Sequence, residues 1–333
     1  MSFVLRRAGQ AAIVLIAAFT ATFFLLQLLP GDAILIKFAD PSLGLSPEQL
    51  DSIRVTYGAD LPWWEQYVHA GLGFLAGDFG YSTQFGTPVL TMLAEALPAT
   101  LMLASLGLLV ALLIAILIAG LSSLAPFAWL RDGLRQVPGL FVAVPVFWLG
   151  ILLIQVFSFG LGWVPIVGAD PVSGLILPVL TLAVPISAPL AQVLVRAIDQ
   201  VQAQPFITVV RAKGAPPLWV LTRSVARNAT LPALTIAGVL FGELVGGAVV
   251  TETVFGRTGI GRLTEQAVSN QDIPVLQGVV LLSALGFVLI SFAVDLVTPL
   301  IDPRQRRVAR TSAPTTPAPT TPAQTTTLQE VSA

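Results

Sequence analysis

Residues 99–121 read ATLMLASLGLLVALLIAILIAGL, a run of 23 residues without a charged side chain. An α-helix needs about 20 mostly apolar residues to cross the hydrocarbon core of a bilayer, so this run predicts a membrane-spanning helix. The whole chain has the same character, since 55% of its 333 residues are hydrophobic and only 11% are charged. Composition therefore places the chain among membrane proteins.

Similar apolar runs recur along the chain and predict an all-α, polytopic membrane protein with six transmembrane helices. The other five runs cover residues 8–29, 137–158, 174–195, 231–250 and 277–300. The first resembles a signal peptide, but its apolar region is too long and no A-x-A site follows, so we expect an uncleaved span. The run at 174–195 is the weakest, because Pro178, Pro185 and Pro189 each remove a backbone donor.

The distribution of basic residues sets the expected orientation. With a cytoplasmic N-terminus, 13 of the 17 Lys and Arg residues fall in cytoplasmic segments and four fall outside. The positive-inside rule therefore predicts that both termini are cytoplasmic. The predicted parts are a first span at 1–30, an external loop at 31–95, a transmembrane core at 96–310 and a tail at 311–333. The tail is almost entirely Thr, Pro, Ala and Ser, which predicts disorder.

The long external loop carries two helix-start signals. Ser46-Pro47-Glu48 combines a capping serine, a first-turn proline and an acidic residue near the positive end of the helix dipole. A second helix is expected near Pro62, where Trp63 and Trp64 suit a membrane interface. These helices are either a passive lid or a docking surface for an external partner.

Residues 209–232, VVRAKGAPPLWVLTRSVARNATLP, form a basic and interrupted stretch between the fourth and fifth apolar runs. We predict one helix over 199–213 and another over 217–228, with Gly214 at positive φ between them. The second helix has an apolar face opposite Arg223 and Arg227, which predicts a helix lying on the membrane surface. The loop at 199–230 is either an ordinary positive-inside connector or a docking element for a cytoplasmic partner.

Two features of the fifth run are candidate functional positions. Gly238, Gly242 and Gly246 recur every four residues, which favours close helix packing, either within the chain or against a second membrane subunit. Glu243 is a carboxylate inside a predicted span, where charge is costly. It is a candidate for a water-filled translocation pathway or for a proton or ion site.

Several chemistries have no support in the residues. The chain has no cysteine and one histidine, and we see neither a metal site nor a nucleophile–base arrangement, so we expect no catalytic residues and no cofactor. Neither Lys37 nor Lys213 is followed by Ser or Thr, so a phosphate-binding loop is lacking. The net charge of −1 argues against nucleic-acid binding. If ATP drives this protein, another chain binds it.

The stretch VRAKGAPPLWVLTRSVARNATLP resembles the signature cytoplasmic loop of ABC importer permeases, especially the dipeptide/oligopeptide/nickel branch. The likeness extends along nearly the whole chain, in order. It includes FVLRR and LLPGD in the first span, GDFGYS in the external loop, PVFWLGILLIQVFSFGLGWVP in the third span, and GGAVVTETVFGRTGIGRL and IDPR in the last third. Departures occur at Pro216-Pro217 and at Arg257-Thr258-Gly259, where the family pattern differs.

This resemblance implies a coupling helix between the fourth and fifth spans, formed around Arg211, Ala212, Lys213 and Gly214, that sits on an ATPase subunit. It implies a bacterial inner-membrane importer with a second permease, two ATPase subunits or one fused ATPase, and an external binding protein. Peptides are the expected substrate, with nickel, glutathione or another small solute as alternatives. A self-contained secondary transporter or channel is the alternative from another class. In this branch the external loop after the fifth span can reach toward the substrate, which makes candidates of Glu252, Gly259 and Gly261.

Overall fold

A computed structural model of the chain describes residues 2–27, 46–56, 61–166, 168, 170 and 172–301. Regular structure within those residues is helical, apart from an isolated bridge between Tyr81 and Pro88. The all-α class is therefore confirmed. The predicted disordered tail at 311–333 lies outside the described residues.

The helices follow the predicted apolar runs with some differences. In chain order they are α1 Ser2–Gln27, α2 Pro47–Thr56, α3 Trp63–Ala76, α4 Val89–Leu124, α5 Ala128–Ala143, α6 Val146–Gly160, α7 Ser173–Gln202, α8 Pro205–Ala212, α9 Pro217–Val254, α10 Ile260–Ser269 and α11 Ile273–Ile301. Two of these helices contain π-helical segments, at Ile154–Gly160 and Val220–Val225.

Among the described residues, five helices are long and apolar enough to cross a membrane, namely α1, α4, α7, α9 and α11. The bent pair of α5 and α6 makes up to six if it counts as one span. The prediction of a single helix over 137–158 is wrong, because α5 and α6 meet at an angle of 100°. The break lies at Val144, which is extended at φ −90° and ψ 120° before Pro145. A proline disfavours helical geometry in the residue that precedes it.

The helix α7 is the centre of the bundle. In the most apolar stretch of α7, 56% of the residues are buried, whereas in that of α1 only 6% are. Helix α7 packs most extensively on α4 and then on α9. Its three internal prolines do not end it. Neighbouring helices can satisfy the carbonyls that a proline leaves free, which explains how the weakest predicted span becomes the central one.

The bundle has two distinct ends. At the end that carries α8, the core is rich in buried alanines, including Ala111, Ala183 and Ala233, and such small residues let helices approach closely. At the end that carries α10, a second cluster joins Val89, Leu263 and Val275 from three helices. These are called the α8 end and the α10 end below.

The segment before α4 contains both predicted helices. In α2, Ser46 and Gln49 exchange hydrogen bonds through their side chains, at 2.8 and 3.3 Å, as a capping box does. Helix α3 packs on α1 through aromatic rings, and the Tyr67 and Thr20 hydroxyls lie 2.7 Å apart. Both helix starts are confirmed, although α4 begins at Val89 rather than near residue 96.

Candidate functional site

The predicted coupling segment folds differently from the sequence-based expectation. The predicted helix over 199–213 is divided, because α7 ends at Gln202 and α8 begins at Pro205. Gln204 is extended before the proline, at φ −72° and ψ 142°. The predicted surface helix over 217–228 is also wrong. It forms the first turns of α9, which continues without interruption to Val254.

Gly214 reverses the chain between α8 and α9. Its φ is +83°, as predicted, and a Cβ there would meet no atom within 4 Å. The requirement for glycine is therefore one of backbone conformation rather than of space. Pro216 is extended at φ −69° and ψ 153°, and Pro217 begins α9, where its missing N–H does no harm.

Ile207 is the fully buried side chain of α8, and Val210 of the same helix packs against the same core cluster. Ile207 has no exposed surface and belongs to the core cluster that also contains Val220, Leu221 and Val225 of α9. Phe206 and Val209, on the same short helix, are exposed. Helix α8 therefore has one buried side and presents apolar side chains outward.

Basic side chains surround these exposed apolar groups. Arg211, Lys213, Arg223 and Arg227 are all exposed, and Leu218 and Trp219 beside them are exposed as well. Within the described part of the chain, none of the four forms an ion pair. An apolar centre with a cationic rim is suited to docking on a protein partner. The role of Arg211, Ala212, Lys213 and Gly214 in coupling stays a prediction.

At the α10 end, Glu252 is a buried helix-capping group, and its role in a translocation pathway stays a prediction. Its side chain is 1% exposed and accepts hydrogen bonds from the Thr100 hydroxyl at 2.6 Å and from the backbone N–H of Gly261 at 2.8 Å. The N–H of Arg262 lies 3.2 Å away and the N–H of Ile260 donates to Thr100. The first three N–H groups of α10, which have no partner inside the helix, are thereby satisfied.

The two glycines predicted beside Glu252 are needed for this cluster. A Cβ on Gly259 would lie 2.3 Å from the Glu252 carboxylate, and one on Gly261 would lie 2.2 Å from the Cα of Val249. Glu252, Gly259 and Gly261 are therefore brought together, but in a buried joint between α4, α9 and α10. In this conformation they do not line an open surface.

A second buried carboxylate, Asp272, was missed by the sequence reasoning. It is 1% exposed, accepts from the Ser82 hydroxyl at 2.5 Å and from the Thr83 N–H at 3.2 Å, and caps α11 through the Val275 N–H. Its position two residues before Pro274 is a helix-start signal that could have revealed it.

A cleft of about 350 Å³ lies at the α10 end, between the segment after α6 and the residues that follow α9. Its charged groups serve local structure. Arg257 donates to the Gly174 carbonyl at 3.1 Å, and Asp170 accepts from Ser173 and Val172 at the start of α7. The hydrogen bond from the Ser173 hydroxyl, followed by backbone N–H groups, lowers the pKa of Asp170.

The predicted glycine stripe of α9 is divided between two environments. A Cβ on Gly242 would lie 3.3 Å from Phe287 of α11, so this glycine packs within the chain. One on Gly246 would meet nothing within 4 Å. Gly238 is half-buried.

The exposed side of α9 carries polar residues in the middle of the span. Its residues at spacings of three or four are Thr235, Val239, Glu243, Gly246, Val250 and Thr253, and we call this set the polar stripe. Over residues 106–121 of α4, the exposed residues are instead Leu109, Leu113, Ile116, Leu117 and Leu121. An ionisable residue at membrane depth is costly against lipid, so the polar stripe is suited to facing water or protein.

The described helices thus form a multi-pass bundle, with the short helix α8 outside the spans at one end. The chain belongs to the family of binding-protein-dependent transport system inner membrane components, whose model matches residues 107–307. Residues 1–104 match the N-terminal family of the same membrane components. The protein is thus a multi-pass inner-membrane permease component of binding-protein-dependent transport.

Named relatives share most of their length with the chain. It is 35% identical over 313 residues to a protein of Brucella abortus (strain 2308) named as a peptide transport system permease, covering 92% of this chain and 99% of the relative. It is 32% identical over 306 residues to the glutathione transport system permease of Escherichia coli (strain K12), with coverage of 92% and 99%.

The fold is similar to that of a solved transporter. A chain of the MetNI methionine ABC transporter in an inward-facing conformation superposes with a TM-score of 0.55 at 19% identity. The match covers 63% of this chain and 96% of that chain. At this identity the likeness concerns the fold alone.

Proposed function

We propose that this chain is a permease subunit of an ATP-driven importer of dipeptides and oligopeptides. The observation that carries the proposal is α8, a short helix outside the spans that Ile207 anchors in the core and that presents Phe206, Val209 and basic groups outward. Such a helix suits a groove on an ATPase partner. Displacement of α8 would then reach the spans through Ile207.

ATP hydrolysis takes place on partner chains, either two ATPase subunits or one fused ATPase. In support, the chain has two lysines and neither is followed by Ser or Thr, as a phosphate-binding loop requires. Arg211, Ala212, Lys213 and Gly214 lie at or just beyond the C-terminal end of α8. They form the part of the chain that contacts the ATPase.

The translocation pathway lies along the polar stripe of α9, between this chain and a second, homologous permease. The exposed carboxylate of Glu243, together with Thr235 and Thr253, supports a hydrated path, because lipid would disfavour these groups. The open space at Gly246 supports close approach by the second permease.

An external substrate-binding protein delivers the solute to the α10 end, which faces outward in this arrangement. Dipeptides and oligopeptides are the proposed cargo, because relatives that align over nearly their full length are named as peptide permeases. Glutathione is the alternative with a specific observation behind it, namely the Escherichia coli relative. Nickel is the remaining alternative within the branch. Family membership argues against a self-contained secondary transporter or channel.

Deletion of this chain in its own bacterium tests the proposal. We expect loss of growth on dipeptides or oligopeptides as the nutrient source, and resistance to toxic peptide analogues, with both restored by the wild-type chain. Unchanged uptake of short peptides, combined with loss of glutathione or nickel uptake, would replace the proposed substrate with that alternative.

A further inference from the structure

The last turn of α7 forms polar contacts with three other elements. Asp199 is paired with Arg135 of α5, with 2.8 Å between Nη2 and Oδ1. Three residues further on, the Gln202 amide nitrogen donates to the Ser123 hydroxyl of α4 at 2.6 Å. The Gln202 amide oxygen accepts from Nη2 of Arg211 on α8 at 3.3 Å.

Both the nitrogen and the oxygen of the Gln202 side-chain amide therefore form hydrogen bonds. A primary amide offers a donor and an acceptor in one rigid plane, so Gln202 fixes the distance between the end of α4 and the end of α8. Only Ala203 and Gln204 separate α7 from α8.

Arg211, in the last turn of α8, and Lys213, at its C-terminal cap, differ in the contacts that they form. The guanidinium of Arg211 reaches back to the bundle through Gln202. Lys213 is exposed, and no hydrogen bond or ion pair involves its side chain among the described residues. Within the proposed docking segment, Arg211 thus has a contact inside the chain as well as an exposed position, whereas Lys213 is exposed without such a contact among the described residues.

We propose that Gln202 is a positioning residue, which sets the orientation of α8 through Arg211 and carries displacement of α8 to α4 and α7. In this arrangement Lys213 contributes to docking on the ATPase, and the Gln202–Arg211 contact contributes to coupling after docking. The inference rests on the proposed ATPase interaction of α8.

The test uses the complete complex, with permeases, ATPases and binding protein, reconstituted in proteoliposomes. Gln202→Leu keeps a branched side chain, one bond shorter than glutamine, and removes both hydrogen bonds. We expect normal assembly and a fall of about fivefold in peptide transported per ATP hydrolysed, the size that corresponds to one hydrogen bond of about 1 kcal/mol. A merely structural role would instead lower assembly and leave this ratio unchanged.

Four further variants make the test more specific. Gln202→Glu keeps the acceptor for Arg211 and can accept from the Ser123 hydroxyl, so it should retain the wild-type ratio. Arg211→Ala removes the Gln202–Arg211 contact that Gln202→Leu also removes, so it should lower the ratio as well, and the double variant should be no worse than Gln202→Leu alone. If Gln202→Leu fails to reach the membrane, Gln202→Lys replaces it, since a lysine can still donate to Ser123 but repels Arg211.

Two outcomes overturn the inference: a wild-type transport-to-ATP ratio in Gln202→Leu, or additive effects of Gln202→Leu and Arg211→Ala. Lys213→Glu separates this failure from failure of the proposed function. If Lys213→Glu weakens copurification with the ATPase while Gln202→Leu has no effect, the positioning role alone is wrong. If Lys213→Glu, Gly214→Val and Gln202→Leu all leave assembly and coupling unchanged, the proposed docking of α8 is wrong as well.

Discussion

The packing around Glu252, Gly259 and Gly261 is so close that a methyl group on either glycine would clash with its neighbours. The carboxylate occupies the space into which a Gly259 side chain would extend, and the α9 backbone at Val249 occupies that of Gly261. Because the same carboxylate caps α10, the joint between α9 and α10 depends on all three residues. This explains the sequence TETVFGRTGIG at 251–261 in structural terms.

Replacing Gly261 with alanine should destabilise the protein, whereas replacing Gly247 should not. The new methyl group at 261 would collide with backbone atoms, and overpacking of this kind costs about 1–3 kcal/mol. A Cβ at Gly247 would meet nothing within 4 Å, and alanine is the better helix former. Thermal unfolding of the purified chain in detergent measures both variants. Equal unfolding midpoints for the two would contradict the description of the Glu252 joint.

At the scale of helices, the sequence predicts span number and approximate limits, because about 20 apolar residues in a row have few other structures available. It does not predict which prolines break a helix. Pro145 ends α5, but Pro185 and Pro189 lie within α7. The difference arises from the packing of α7 between α4 and α9, and a single sequence does not reveal such contacts.

In the coupling segment, too, some features follow from neighbouring residues in the sequence, whereas others depend on packing against distant residues. The turn at Gly214 is predictable, since glycine followed by two prolines favours a reversal, and Pro205 is an overlooked signal for the start of α8. The continuity of 217–228 with the fifth span was not predictable from the charges. Arg223 and Arg227 stay exposed while Val225 is buried, so the helix carries its basic side chains on its outer side.

At the scale of the whole molecule, basic residues are concentrated at the α8 end. That end or the segments next to it contain Arg131, Arg135, Arg196, Arg211, Lys213, Arg223 and Arg227, whereas Arg257 and Arg262 lie toward the α10 end. By the positive-inside rule we predict that the α8 end is cytoplasmic and that the α10 end is external.

Single cysteines introduced into this cysteine-free chain test the orientation. We expect Glu48→Cys on α2 to react with a membrane-impermeant maleimide on intact cells. Ala215→Cys, next to Gly214, should react only after the cells are permeabilised. Labelling of position 215 without labelling of position 48 on intact cells would reverse the orientation and remove α8 from the cytoplasm.

The central claim is that α8 couples this permease to an ATPase, and Gly214 offers the most direct test because its side-chain position is open. A β-branched residue at φ +83° carries a local strain of about 1–3 kcal/mol, while asparagine tolerates this region. We therefore compare wild type, Gly214→Val and Gly214→Asn in the reconstituted complex. The measurement is the stimulation of ATP hydrolysis by peptide-loaded binding protein. The account predicts normal membrane levels of all three chains, loss of stimulation in Gly214→Val and substantial retention in Gly214→Asn. Wild-type stimulation in Gly214→Val would contradict it and leave the segment around α8 as a charged connector.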